Sequence, residues 1–148
     1  MTRHWLLALL ILAAAEGPAL ACSCIPPPTD PSQQRVHARE VARGALALVE
    51  VELVSPYDQR LGRGERLRVR RTLAGRAPAV FEVERHHPPS SASCDIGFEP
   101  GRRSWLVLYA PQMRGRTVRY RISASCTGFM LANAAFRAEL AAQMRRRR

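Results

Sequence analysis

Five short segments of apolar and polar residues, four of them alternating and one apolar throughout, crowd into about 80 residues and constrain this chain more than any other feature. In residues 45–54 (ALALVEVELV), Val49, Val51 and Leu53 alternate with Glu50 and Glu52. A period of two places the apolar set on one face and the glutamates on the other, as in a half-buried strand. The turn-rich SPYDQRLGRG follows, and residues 65–73 repeat the pattern with Leu67 and Val69 against Arg66, Arg68 and Arg70. Residues 79–87 set Phe81 and Val83 opposite Val80, Glu82 and Glu84, and residues 117–126 put Val118, Tyr120 and Ile122 on one face. Residues 104–110 (SWLVLYA) are apolar throughout, which predicts a central strand. Five strands at this spacing predict a mainly β fold, a small closed or nearly closed barrel.

Helices are expected on either side. Three consecutive prolines, Pro26 to Pro28, hold the backbone extended, and Asp30 followed by Pro31 supplies an N-cap and a first helical residue. The spacing predicts a short helix over residues 31–43, with Val36 and Val41 as its thin apolar face. Residues 131–148 (LANAAFRAELAAQMRRRR) read as a C-terminal helix with Leu131, Ala135, Ala138 and Ala142 near one face. Residues 145–148 end it as a basic tail that suits the helix dipole and is expected to fray.

Residues 1–21 have the form of a secretory signal peptide: Arg3 and His4, an apolar run from Trp5 to Ala15, and Ala19-Leu20-Ala21 as an A-x-A cleavage site. A lipoprotein signal also leaves a cysteine first, but it prefers a branched aliphatic residue where this chain has Ala19, so ordinary cleavage is favoured over lipid anchoring through Cys22. Both routes make Cys22 the first residue of a secreted or periplasmic protein. No later apolar run is long enough to span a bilayer, so no transmembrane segment is expected. Taking 21 residues from 148 leaves 127, the size of a single domain, residues 22–144, ahead of the basic tail.

The formal charge is +11, and all 23 basic residues are arginine. Such a chain is drawn to anionic partners. Nucleic acid is not expected among them, because only Tyr120 offers a stacking ring among the strand arginines and the chain is exported.

Cys22, Cys24, Cys94 and Cys126 in an exported chain predict two disulfides. A bond between Cys22 and Cys24 closes a strained small ring, which leaves two long-range pairings open. Each bridge contributes about 4–5 kcal/mol by loop entropy. One C-x-C and two single cysteines do not match a zinc site, and no metal or cofactor is expected. His86 and His87 precede Pro88 without a nucleophile motif or third ligand nearby, and Asp95 and Glu99 make no acid–base pair, so the chain reads as no enzyme.

CSCIP at Cys22 to Pro26, a helix before the first strand, SSASC at Ser90 to Cys94, the apolar WLVLYA and a final Cys126 together resemble the inhibitory domain of the tissue inhibitors of metalloproteinases. More broadly the chain is similar to netrin-like domains, which are OB-type Greek-key barrels. The resemblance spans residues 22 to about 129 and rests on the order and spacing of the cysteines. It implies disulfides Cys22–Cys94 and Cys24–Cys126. It also implies an inhibitory spur: Cys22 offers its α-amine and carbonyl to the catalytic zinc of a target protease, Ser23 faces the specificity pocket, and Cys24, Ile25 and Pro26 run along the cleft. The loop Ser90, Ser91, Ala92 and Ser93 supplies a second contact ridge. This chain departs from the family in having no cysteine near Gln34 and no counterpart of the second domain.

The competing reading is a non-catalytic module of the cell envelope. Arg66, Arg68 and Arg70 on one strand and Arg119 and Arg121 on another would form a basic barrel wall for an anionic polymer or an acidic protein.

Overall fold

The computed structural model describes residues 28–58, 60–61, 63–83, 96–123 and 125–147. In chain order they form α1 (Pro31–Ala42), β1 (Ala45–Ser55), β2 (Arg66–Gly75), β3 (Val80–Val83), β4 (Arg103–Arg114), β5 (Thr117–Ile122), α2 (Ser125–Met130) and α3 (Ala134–Arg146). The five strands close into a barrel in the order β1-β2-β3-β5-β4. All neighbouring pairs are antiparallel except β3 with β5. After β3 the chain lays down β4 on the far edge and returns as β5 beside β3, so this closing pair runs parallel. Closure pairs every strand of the barrel on both sides over part of its length.

β1 carries the closure, since it pairs with β2 on one side and β4 on the other. Its register against β2 shifts at Leu48/Val49, Glu50/Val51 and Leu53/Ser55. Bulges of this kind bend and twist a strand, which lets one long strand follow the barrel wall. Gly75 ends β2 at φ +86°, and a β-carbon there would sit 2.1 Å from the carbonyl oxygen of Leu46. Only glycine accepts both the left-handed backbone and that approach.

Two apolar layers hold the molecule together. Ala47, Val49, Val51, Leu67, Phe81, Val83, Leu106 and Leu108 fill the barrel. Leu48, Ala74 and Val107 point the other way, into a layer shared with Ala38, Ala42, Met130, Leu131, Phe136, Leu140, Ala141 and Met144 of the helical segments. The unbroken apolar run of β4 is thereby explained: Leu106 and Leu108 face inward while Val107 lies beneath the helices.

The helices match the expected faces only in part. α1 begins as its sequence predicts, with Asp30 Oδ1 accepting from the backbone N–H of Ser32 at 3.0 Å and Pro31 in the first turn. It buries Ala38 and Ala42 and packs the expected Val41, partly buried, against the same layer, whereas Val36 is 55% exposed. Two alanines four residues apart let α3 approach closely, and α3 fills the space with its large residues. Phe136, Leu140 and Met144 are buried at that same spacing, while Ala135 and Ala138 face solvent. Leu131 is buried ahead of the helix. Arg147 Nη1 donates to the carbonyl of Ala42 at 2.6 Å, satisfying an otherwise open carbonyl at the end of α1.

β5 stops at Ile122 rather than running to residue 126. Ser123 closes the pairing, its N–H donating to Val107 O at 3.0 Å and its Oγ accepting from Val107 N at 3.2 Å, and α2 follows. No helix among the described residues is long and apolar enough to cross a membrane.

Candidate functional site

The expected spur, Cys22 to Pro26, the loop Ser90 to Ser93 and Cys94 lie outside the described residues, as do His86 and His87. Cys126 is partly buried in α2 and is not a free thiol. Two residues further on, Gly128 presses against Ile96, which itself follows Cys94 by two residues. A β-carbon at Gly128 would lie 2.9 Å from Ile96 Cδ1. The chain just after Cys94 and the chain just after Cys126 therefore meet at one end of the barrel.

A groove of about 490 Å³ opens there, lined by Ile96, Gly97, Arg103, Trp105, Phe129 and Leu131 among others. Phe129 is 58% exposed on its rim. Trp105, from β4, is flanked by two guanidinium groups: Arg137 at 5.1 Å and Arg71 at 6.0 Å from the ring centre. Both distances are within cation–π range. Arg137 is anchored by donating to the carbonyls of Leu131 at 2.5 Å and Ala132 at 2.9 Å, so it fixes the segment that joins α2 to α3. Sequence alone assigns neither Trp105 nor Phe129 to a site. An aromatic residue beside a helical glycine was the available signal for Phe129.

Two carboxylates offset part of the arginine charge on the outer wall. Arg66, Arg68 and Arg70 are exposed on β2, but Glu52 on β1 accepts from Arg68 at 3.4 Å and also from Arg70. The hydrogen bond from Arg70, with the positive charges of Arg70, Arg68 and Arg103, holds the Glu52 carboxyl below the usual carboxylate range. Arg119 lies on the other side of β3, paired with Glu82 at 2.8 Å and less than one-fifth exposed. In register, Glu82 stands opposite Arg66 on one side and Arg119 on the other. It also accepts from the N–H of Gly64 at 2.6 Å. Arg121 is exposed, 6.0 Å from the ring centre of Tyr109. Burial raises the Tyr109 hydroxyl above its ordinary range, opposed by the charge of Arg121. Thus β2 and β5 do not share one continuous basic stripe, because a carboxylate on β3 separates them.

A second cavity of about 480 Å³ sits at the β1–β2 connection, lined by Ser55, Pro56, Tyr57, Asp58, Arg60 and Arg63. Asp58 organises it, its Oδ1 accepting from the N–H groups of Arg60 at 3.0 Å and Leu61 at 3.1 Å. Among the described residues no three His, Cys, Asp or Glu side chains come together as metal ligands would. Comparison of the chain with family models, curated proteins and solved structures finds no match in any of the three.

Proposed function

We propose that this protein is an exported, non-catalytic inhibitor of zinc metalloendopeptidases that acts through a free N-terminal Cys22. The observation that carries the reading is the meeting of Ile96 with Gly128. It brings the chain near Cys94 beside the chain near Cys126, so disulfides Cys22–Cys94 and Cys24–Cys126 would fasten both cysteines of the spur to one end of the barrel. The strand order β1-β2-β3-β5-β4 with a parallel β3–β5 pair supports an OB-type Greek-key barrel, the frame that the resemblance implies.

The chemistry asked of Cys22 is modest. An α-amine with an ordinary pKa of about 7.7–8.0 is partly neutral near neutral pH and can ligate a metal. Bound to the target's zinc together with the Cys22 carbonyl, it would displace the water that attacks substrate. Two bridges and the prolines at 26–28 would restrict the spur before docking, so less entropy is lost on binding.

The envelope-module reading has less support, because Glu52 already engages Arg68 and Arg70 and Glu82 engages Arg119. It predicts binding to anionic polymers that weakens with salt and with charge reversal at Arg66, Arg68 and Arg70. The inhibitor reading is tested by measuring the N-terminal mass of the exported protein and assaying it against a panel of zinc endopeptidases. It predicts an unmodified Cys22 terminus and inhibition of at least one member. An acylated or shifted terminus, or inactivity across the panel, contradicts it.

A further inference from the structure

The β4–β5 hairpin carries Arg103, Arg114, Arg116, Arg119 and Arg121 and no acidic residue; the chain has none between Glu99 and Glu139. Two of these arginines have acidic neighbours on the barrel wall. Arg119 pairs with Glu82, and the charge of Arg103 acts on Glu52. Arg114 and Arg116 flank the tip in sequence, where Gly115 turns the chain at φ +61° and Arg116 is exposed, while Arg121 stands at the base of the hairpin beside Tyr109.

The tip also presents apolar surface. Met113 and Val118 stand directly opposite each other across the hairpin. They are 67% and 43% exposed. Alternation places Val118 on the face that, further along β5, turns Tyr120 and Ile122 into the barrel. Pairing between β1 and β4 runs only from Glu52 with Arg103 to Ala45 with Tyr109. Beyond Tyr109, β4 pairs with β5 alone, so the tip overhangs the barrel and its apolar pair leaves the interior.

We propose that this tip docks the protein on an anionic lipid bilayer, seating Met113 and Val118 at the boundary between headgroups and acyl chains with Arg116 among the phosphates. The acid-free hairpin selects a negatively charged partner. The exposed apolar pair selects a bilayer over a sulfated or carboxylated polysaccharide, whose polar surface gives methionine and valine nowhere dry to go. Neither feature is large enough to hold the protein alone, so binding requires both. This inference stands independently of protease inhibition.

The test is flotation of the purified protein with vesicles of phosphatidylcholine alone and of phosphatidylcholine mixed with phosphatidylglycerol. Binding is expected to the mixed vesicles only and to weaken with salt. Arg116→Gln should lower it about fivefold, the worth of one arginine at an anionic surface. Met113→Ser combined with Val118→Ser should lower it at least about tenfold while leaving the thermal midpoint unchanged, since both residues are exposed. Arg39→Gln on α1 removes the same charge elsewhere and should cost much less. Equal binding to both vesicle types, no binding to either, equal losses for Arg39→Gln and Arg116→Gln, or indifference to the apolar double substitution overturns the proposal. Retention on heparin that ignores the apolar double substitution, together with failure to float, would assign the hairpin to a polysaccharide instead.

Discussion

Glu52 and Gly75 show how much single residues decide here. Glu52 holds two arginines from the neighbouring strand, and its carboxyl lies below the ordinary range as a result. A carboxyl depressed in the folded state stabilises the fold above its unfolded pKa of about 4.3, and that contribution disappears as pH falls through the lower folded value. Glu52→Gln should therefore melt below the parent at neutral pH, with the gap narrowing once pH drops under about 4. A gap that widens in acid contradicts the pairing. Gly75→Ala should be destabilising by several kcal/mol, since about 1–2 kcal/mol of left-handed strain adds to the clash with Leu46 O. Urea denaturation reads this directly, and a neutral result would show that β2 ends differently. The alternation of valine and glutamate in β1 announced which side chains face inward, whereas the partners of Glu52 and Glu82 depend on pairings between strands far apart in sequence. Arg119 reads as a member of a basic stripe until β5 is seen to lie beside β3.

At the scale of elements, β1, β2, β3 and β5 were legible from alternation with a period of two, and β4 was legible as a strand with two buried faces. The helices were less so. Counting alanines on α3 pointed to Ala135 and Ala138, but burial goes to the residues with most apolar surface to remove from water, Phe136, Leu140 and Met144. The alanines of α1 then serve as the flat surface against which those large side chains pack. α2 went unread because six residues that include a glycine carry no helical periodicity. Phe136→Ala should cost about 3–5 kcal/mol by opening a cavity between barrel and helices. A loss under about 1 kcal/mol, measured by chemical denaturation, would mean that α3 does not close the second apolar layer.

For the whole molecule, the barrel is a frame that carries two distinct surface features. At one end the neighbours of Cys94 and Cys126 converge beside Trp105 and Phe129; elsewhere the β4–β5 hairpin carries arginine and exposed apolar surface past the wall. Peptide mapping of the oxidised protein should recover Cys22 linked to Cys94 and Cys24 linked to Cys126. Linkage of Cys22 to Cys24 and of Cys94 to Cys126 would detach the spur from the site proposed for it. Reduction should lower stability by roughly 4 kcal/mol or more, because each expected bridge closes a long loop. The central claim, that the Cys22 amine itself meets the target's zinc, is tested most directly by placing one alanine before Cys22 in the exported protein and comparing inhibition with the parent. Loss of inhibition with unchanged melting and unchanged disulfides is the predicted result, and inhibition that survives the added alanine would contradict the claim.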